Sequence, residues 1–288
     1  LVEDVCARIH NDDDDDDNDS NPYPIPVGGS NALGTWGYIN AVDELMRQIE
    51  TIREEEEEAE EEKESFALDH VVFATGSGGT ATGISVGLSL AYASLDDNNN
   101  NNDELGQQQR HQQQQRSSSS SPPRVHAIGV CDNPNYFYDS MSAIADEMGL
   151  DLANLPSDPS NNNTATSATT EQFVRNAVTV HNGKGRGYAM STDDELDFVL
   201  QFAVETGIVL DPVYSGKALY YFLKKVVEGE DDGDGDGDGG GGGTEEYRDT
   251  NILFWHTGGS IGLYEKGDEL REGLDVASRV ERLDVYGK

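Results

Sequence analysis

A glycine-rich stretch at residues 75–83 (TGSGGTATG) contains the residue types that bind an anion. It follows the apolar run 70–74 and precedes a helix-like segment. The first amides of a helix have no acceptor inside the helix and carry the positive end of its dipole, so they attract a phosphate. Glycines let the backbone approach the anion, and the hydroxyls of Thr75, Ser77 and Thr80 add donors. The stretch therefore predicts a site for a phosphate-bearing cofactor or substrate.

The same stretch also satisfies the dinucleotide fingerprint G-x-G-x-x-A, through Gly76, Gly78 and Ala81. That fingerprint requires an acidic residue about 20 positions later, at the end of the next strand. Asp96 and Asp97 lie at that distance, but they open an Asn/Gln tract. The residues alone leave three interpretations open: a cofactor with a single phosphate, a dinucleotide, and a structural turn.

Residues 28–34 (GGSNALG) precede a helix-like pattern. One interpretation is a flexible turn in which Ser30 or Asn31 caps the helix. The other is a second approach of the backbone to the same ligand. The local pattern leaves both open and favours the turn.

Residues 211–217 (DPVYSGK) form a polar turn after an apolar run. Such turns often carry function, so Tyr214 is a candidate proton donor or acceptor and Ser215 a candidate partner of a heterocyclic nitrogen. The alternative for Ser215 is a helix N-cap. Lys217 has the chemistry of a Schiff-base lysine, but its place in the first turns of an amphipathic helix favours a solvated side chain.

His256 ends an apolar run and is followed by residues 257–259 (TGG). It is either catalytic or a hydrogen-bonded structural residue, and the second interpretation is favoured. The sequence has no histidine, cysteine and aspartate cluster with metal-ligand spacing and no Gly-x-Ser-x-Gly elbow, so it predicts neither a metal site nor a hydrolase triad. Its two cysteines, Cys6 and Cys131, exclude a disulfide framework, and Cys131 is expected to be a small buried side chain.

Strand-like and helix-like segments alternate along the chain. This alternation predicts an α/β fold, a three-layer open parallel sheet with helices on both faces. Strands are expected at 71–74, 125–131 and 252–256, and helices at 38–52, 80–95, 136–148, 171–180, 192–206 and 215–227. Ligands of such sheets bind at the carboxyl ends of the strands, where both glycine-rich turns lie.

The net charge of −37 over 288 residues is concentrated in acidic tracts at 12–19, 54–64 and 228–238. Low-complexity inserts, expected to be disordered, lie at about 11–20, 54–64, 96–123, 157–170 and 229–246. The acidity argues against a nucleic-acid partner, which needs clustered Lys and Arg. No apolar run is long enough to span a bilayer and no signal peptide is present, so no membrane partner is expected. A soluble intracellular protein is predicted, with cytoplasm, mitochondrion and plastid all left open.

Six groups of short sequence segments are together more specific than a generic α/β pattern. They are 25–31 (IPVGGSN), 74–80 (ATGSGGT), 130–134 (VCDNP) with 136–139 (YFYD), 185–192 (GRGYAMST), 210–218 (LDPVYSGKA) and 252–259 (ILFWHTGG). In these strings the chain closely resembles the D-cysteine desulfhydrase and 1-aminocyclopropane-1-carboxylate (ACC) deaminase family, most of all its plant-type D-cysteine desulfhydrases. The resemblance implies the tryptophan synthase β-like fold, pyridoxal 5'-phosphate as cofactor, a small amino-acid substrate and a homodimer at full length. It argues against an NAD-binding oxidoreductase domain.

The resemblance also assigns roles to residues. Those that would bind the cofactor phosphate are Thr75, Gly76, Ser77, Gly78, Gly79 and Thr80. Ser215 would face the pyridine nitrogen, and Thr257 would line the pocket beside the ring. Tyr188 and Tyr214 would lie near the substrate as the candidate catalytic residues.

Two of these positions bear on the reaction. ACC deaminases carry glutamate and leucine where this chain has Ser215 and Thr257. A glutamate at the pyridine nitrogen favours a protonated ring and a strong electron sink, and a neutral hydroxyl does so less. The predicted reaction is therefore the elimination of D-cysteine to pyruvate, hydrogen sulfide and ammonia, catalysed by a carbon–sulfur lyase. ACC deamination and a catalytically inactive cofactor-binding domain are the alternatives.

Family members carry the Schiff-base lysine, and a smaller substrate-binding domain, well upstream of the string that matches 25–31. None of the seven lysines here matches that position. The expectation is that 23–288 is the C-terminal part of the cofactor domain and 1–22 an acidic leader or truncated remnant. Such a chain is expected to lack the covalent anchor, to be inactive or nearly so alone, and to be poorly soluble.

Overall fold

The computed structural model describes residues 24–58, 66–101, 122–152, 155, 169–229, 245–259, 262–267 and 270. The expectations for segment 1–22, and for most of each low-complexity insert, fall outside the described residues.

Seven helices and four strands alternate through the described residues. The helices are α1 (Ala32–Glu58), α2 (Gly79–Asn101), α3 (Pro134–Met148), α4 (Thr170–Ala177), α5 (Asp193–Thr206), α6 (Ser215–Tyr221) and α7 (Gly262–Glu265). The strands are β1 (His70–Thr75), β2 (Arg124–Gly129), β3 (Thr179–Asn182) and β4 (Ile252–Phe254). A 3-10 turn at Val27–Gly29 precedes α1, and a π-helical segment, Phe222–Val227, continues α6.

The strands form one parallel sheet in the order β3-β2-β1-β4. Thr75 pairs with Gly129 and Gly129 with Asn182, so the carboxyl ends of β1, β2 and β3 lie side by side. The expected parallel sheet is confirmed. Its carboxyl edge is where ligands of such sheets bind.

Helices cover both faces of the sheet, so β1 buries every side chain. Phe73 faces one core, where it packs with residues of α1 to α4 such as Phe137 and Phe173. Val72 faces the other, with Ala218 of α6 and Phe222 of the π-helical segment. A strand buried on both faces has a continuous apolar sequence rather than an alternating one. The three-layer arrangement predicted from the sequence is present.

Helix ends follow their capping signals. Thr192 and Glu195 form a reciprocal capping box at the start of α5, and Gly207 ends that helix in the left-handed region, at φ 73°. Asn133 caps α3 through the amide of Tyr136, and Gly149 closes that helix at φ 66°. Both C-terminal glycines were predicted from the sequence.

Several element boundaries differ from the sequence expectation. The helix expected at 171–180 ends at Ala177, and the next residues form the unexpected strand β3. Residues 54–58 and 96–101, which lie in inserts expected to be disordered, belong to α1 and α2. Within the described residues, no helix has the length and apolar character needed to cross a bilayer.

A chain of three histidines runs across β1, β2 and β3, and the sequence analysis missed it. Nδ1 of His70 lies 3.1 Å from Nε2 of His126, whose Nδ1 lies 3.0 Å from Nε2 of His181. The rings of Phe222 and Tyr247 pack beside His126. Burial, aided by the two neighbouring imidazoles, lowers the pKa of His126 to about 3. His126 is therefore a neutral hydrogen-bonding group in the folded chain at neutral pH.

Candidate functional site

The glycine-rich turn joins β1 to α2 at the carboxyl edge of the sheet. Gly78 has a φ of 92°, which side chains rarely adopt, and a Cβ built there would lie 3.0 Å from Oγ of Ser140. A Cβ on Gly76 would lie 3.1 Å from Cε1 of Tyr214. The turn thus lies directly against Tyr214. Gly76 and Gly78 have almost no room for a side chain larger than a hydrogen atom.

Two side chains fix the direction of the peptide groups in this turn. The thiol of Cys131 donates to the carbonyl of Gly76 at 3.2 Å, and the hydroxyl of Ser140 donates to that of Ser77 at 2.9 Å. In a planar trans peptide the following N–H points away from the carbonyl, so the amides of Ser77 and Gly78 point away from these partners. The first amides of α2 add donors without acceptors inside the helix. The turn has the donor set of an anion site.

Thr75 has a hydroxyl that could serve a ligand bound at this turn. Its side chain is buried, and its hydroxyl has no hydrogen-bond partner among the described residues. A buried polar group without a partner is costly and calls for an explanation. A phosphate oxygen in the adjoining turn would accept from this hydroxyl, so the residues present fit a phosphate-bearing cofactor.

Residues 28–34 begin a helix with Asn31 as a cap, as the favoured interpretation had it, and they also contact the same turn. Oγ of Ser30 lies 2.6 Å from Oγ of Ser77, and a Cβ on Gly79 would lie 2.7 Å from Oγ of Ser30. At the start of α1, the amide of Gly34 donates to Oδ1 of Asn31 at 2.8 Å. The segment therefore begins a helix and also packs against the candidate phosphate turn.

Tyr188 and Tyr214, the two candidate catalytic residues, lie together. Their hydroxyl oxygens are 2.7 Å apart, and their rings meet edge to face. Burial, followed by the hydrogen bond with Tyr188, raises the pKa of Tyr214 well above its ordinary value. Tyr214 is therefore a phenol at neutral pH, able to donate a proton.

Ser215 is buried at the start of α6, and its hydroxyl is engaged by one residue, Asp211. Ser215 Oγ donates to Oδ1 of Asp211 at 2.7 Å and accepts the Asp211 amide at 2.9 Å. The same carboxylate accepts the amides of Val213, Tyr214 and Ser215 at 2.8 to 2.9 Å. The turn that carries Tyr214 and Ser215 is thus organised around the Asp211 carboxylate, which replaces the simple N-cap considered for Ser215.

The segment after β4 runs past the same carboxylate. A Cβ on Gly259 would lie 2.6 Å from Oδ1 of Asp211, and Thr257, two residues earlier, is exposed. The ring of His256 is hydrogen-bonded at both nitrogens, to the carbonyl of Val209 and the amide of Gly258, each at 3.1 Å. His256 is therefore hydrogen-bonded, as the favoured interpretation had it.

Lys217 and Cys131 differ from their expected environments. The expectation of a solvated Lys217 is wrong: its side chain is fully buried and its amine donates to three backbone carbonyls. The sequence pattern failed because it shows only the helix, not the loop that covers this face. Cys131 is half-buried rather than fully buried, and burial raises the pKa of its thiol.

Sequence reasoning also missed two residues that shape the site. Ser140 lies in the middle of α3 and Asp211 ends an apolar run, so neither stands in a glycine-rich pattern. The signal for Asp211 was its position three residues before Tyr214 and two before Val213, the spacing of an Asx turn. Within the described residues, no group of histidine, cysteine or acidic side chains could hold a metal ion.

Comparison with known proteins agrees with this geometry. Residues 3–235 match the family model described as pyridoxal-phosphate dependent enzyme. A protein of Arabidopsis thaliana named bifunctional D-cysteine desulfhydrase/1-aminocyclopropane-1-carboxylate deaminase, mitochondrial, is 34% identical over 269 residues, which cover 91% of this chain and 49% of the relative. A D-cysteine desulfhydrase of Klebsiella pneumoniae is 26% identical, over 83% of this chain and 51% of its own length.

A solved structure described as an ACC deaminase homologue aligns with a TM-score of 0.55 and 22% identity. The alignment covers 94% of this chain and 57% of that one, and it supports the tryptophan synthase β-like fold. The chain spans about half the length of the curated relatives it matches. Because the family model covers most of the chain and the turn after β1 fits a phosphate, the chain belongs to the pyridoxal-phosphate dependent enzyme family.

Proposed function

We propose that this chain forms part of a pyridoxal-phosphate dependent carbon–sulfur lyase acting on D-cysteine. The substrate loses its α-proton and its thiol, which leaves as hydrogen sulfide. Water then replaces the nitrogen, which leaves as ammonia, and pyruvate remains. One D-cysteine and one water give one pyruvate, one hydrogen sulfide and one ammonia.

The observation that carries the proposal is the contact between the turn and Tyr214. A Cβ on Gly76 would be 3.1 Å from the tyrosine ring. A phosphate held by the turn would therefore place the rest of the cofactor, and a substrate beside it, near the paired Tyr188 and Tyr214 hydroxyls. Bound pyridoxal phosphate supplies an electron sink for the carbanion that forms at the α-carbon.

The residues of this chain have separable roles in the proposal. Thr75, Ser77 and the amides of the turn bind the phosphate, with Thr75 gaining the partner that its buried hydroxyl lacks among the described residues. By the family resemblance, Ser215 would face the pyridine nitrogen and Thr257 would lie beside the ring. Tyr214, a neutral phenol whose raised pKa makes it a weak acid, would stabilise the leaving sulfur by a hydrogen bond from its hydroxyl rather than by full proton transfer.

Preference for D-cysteine over ACC is proposed to follow from Ser215 and Thr257. The Ser215 hydroxyl is neutral, and its proton is already donated to Asp211. A neutral partner favours a protonated pyridine less than a carboxylate does. Thiol loss needs only α-proton removal and a good leaving group, whereas opening a cyclopropane needs the stronger sink.

The test uses the enzyme expressed with any coding sequence that adjoins this chain. Sulfide and pyruvate formed from D-cysteine are compared with the four-carbon 2-oxo acid formed from ACC. We expect sulfide and pyruvate in equal amounts from D-cysteine, and a shift toward ACC in the Ser215→Glu, Thr257→Leu double variant. Pyridoxal phosphate binding without turnover of either substrate would favour the inactive cofactor-binding domain.

We also propose an assembly state and a cellular compartment for the protein. The resemblance suggests a homodimer for the whole protein, which sedimentation of the expressed enzyme tests. The Arabidopsis relative is named as a mitochondrial protein. A mitochondrial location for this chain is the corresponding proposal, and cell fractionation tests it.

A further inference from the structure

Lys217 is a buried cation that the proposed chemistry does not use. Its side chain is 0% exposed, in the first turn of α6. Its amine donates to the carbonyls of Lys184 at 2.9 Å, Gly187 at 3.2 Å and Met190 at 2.7 Å. An ammonium group has three protons, so each has an acceptor.

The charge of Lys217 is compensated by one acidic residue. Oε1 of Glu195 lies 3.9 Å from the amine, while Oε2 of Glu195 accepts the amide of Thr192 at the start of α5. Burial lowers the pKa of Lys217, and the nearby Glu195 opposes that shift. An unpaired buried charge is strongly unfavourable, so this set of acceptors belongs to a charged amine.

All three carbonyls lie in one loop, residues 184–190, between β3 and α5. One residue of the loop has an unfavourable backbone, Ala189 with a φ of 57°. The positive φ of Gly185 and Gly187 is one that glycine adopts without strain. A non-glycine residue in that region persists only where its surroundings hold it. Lys217 supplies three contacts that hold this loop.

Tyr188 lies between two of the three attachment points, Gly187 and Met190. Its side chain is 54% exposed, and its hydroxyl meets that of Tyr214. Tyr214 stands three residues before Lys217, so one short segment carries both the second tyrosine and the amine that holds the loop of the first.

We infer that Lys217 is a positioning residue: its buried ammonium holds loop 184–190 so that the Tyr188 hydroxyl meets Tyr214. This inference rests on the proposed function only in assuming that the tyrosine pair takes part in catalysis. The anchoring is a property of the chain without cofactor, so it can fail while the proposed function stands. It also follows that the Lys217 amine is not free to react with an aldehyde.

The first experiment is limited trypsin digestion, without cofactor, of the protein expressed with any coding sequence that adjoins this chain. Arg186 is an exposed cleavage site inside the loop. Lys217→Met keeps the length of the side chain and removes the charge and the donors. Cleavage depends on the population of the open loop, so we expect cleavage after Arg186 to become about tenfold faster or more. Lys224 lies in the π-helical segment and forms an exposed ion pair with Glu228. The control variant Lys224→Met should therefore leave the rate of cleavage after Arg186 unchanged.

A second readout reports the tyrosine pair itself. Part of the raised pKa of Tyr214 comes from its hydrogen bond with Tyr188. The pKa of Tyr214 is measured by NMR of carbon-13 labelled tyrosine. In the Lys217→Met variant this pKa should fall toward the value found in the Tyr188→Phe variant. Lys217→Arg keeps a charge but has a planar donor fork, so a partial return toward wild type is expected.

The inference is overturned if a folded Lys217→Met chain keeps both the wild-type cleavage rate and the wild-type Tyr214 titration. If that variant fails to fold, acetic anhydride labelling of the wild-type chain decides. Lys217 should be acetylated about a hundredfold more slowly than Lys224, since reaction requires local opening. Equal labelling, or reductive attachment of pyridoxal phosphate to Lys217, would also overturn it.

Discussion

The hydroxyl of Ser215 donates to the Asp211 carboxylate at 2.7 Å while accepting the Asp211 amide at 2.9 Å. A serine engaged in this way keeps one lone pair and no free proton, so toward a ligand it is an acceptor. In the proposed site Ser215 would accept a hydrogen bond from a protonated pyridine nitrogen, but without the negative charge by which a carboxylate holds that proton more strongly. Asp211 therefore bears on the electronic character of the site through Ser215.

The variant Asp211→Asn tests the importance of this carboxylate for the fold. An asparagine amide would turn an N–H₂ group toward amides that now donate to Oδ1 or Oδ2. Loss of charged hydrogen bonds should lower the free energy of unfolding by about 1.5–3 kcal/mol, as measured by urea denaturation. The control is Asp43→Asn, which removes an exposed ion pair with Arg47 worth about 0.3–0.5 kcal/mol. Equal losses in the two variants would contradict the role of Asp211.

Gly78→Ala tests the backbone of the glycine-rich turn. The φ of 92° and the closeness of Ser140 should cost about 1–3 kcal/mol of unfolding free energy and weaken pyridoxal phosphate binding. Gly37→Ala is the matched control, because a Cβ there meets nothing within 4 Å in α1. That control should be neutral or stabilise by up to about 1 kcal/mol. Calorimetric melting and cofactor titration of both variants measure the difference.

Tyr188→Phe tests the coupling of the two tyrosines. Because the Tyr188 hydrogen bond is the second cause of the raised Tyr214 pKa, after burial, its removal should lower that pKa while leaving it above the ordinary value. The measurement is the pH titration of Tyr214 by NMR. Tyr136→Phe, on α3, should leave the titration unchanged, and a shift of the same size there would show that the effect is unspecific.

The buried histidine chain predicts acid destabilisation. Unfolded His126 gains a proton near pH 6.5 but folded His126 only near pH 3, so between these values the unfolded chain binds more protons and is favoured. His126 alone should lower the free energy of unfolding by about 2 kcal/mol between pH 7 and pH 5. His126→Gln should lose this part of the pH dependence. The unfolding free energies at pH 7 and pH 5 are measured by denaturant titration. If they differ by the same amount in His126→Gln as in the wild-type chain, the account is refuted.

The sequence predicted those parts of the fold that depend on local signals. The capping box of Thr192 and Glu195 and the terminal Gly207 are local hydrogen-bond devices, so they could be identified from spacing. The strand β3 was missed because its four residues follow α4 with no turn residue between.

The candidate site depends more on contacts between distant segments. The Ser77 turn was recognisable from its glycines, but its contacts with Ser30 and Ser140 join residues 47 and 63 positions apart. The burial of Lys217 depends on loop 184–190, at least 27 positions away along the chain. Helical periodicity contains no information about such a loop.

The most direct test of the account is equilibrium binding of pyridoxal phosphate and of pyridoxal, which lacks the phosphate, to the 288-residue chain and to its Thr75→Val variant. If the turn after β1 binds the phosphate, pyridoxal phosphate should bind the wild-type chain about tenfold more tightly than pyridoxal or better, since charged hydrogen bonds are gained. Thr75→Val should weaken pyridoxal phosphate binding and leave pyridoxal binding unchanged. Equal affinity for the two compounds, with no effect of the variant, would contradict the assignment of this turn as the cofactor phosphate site.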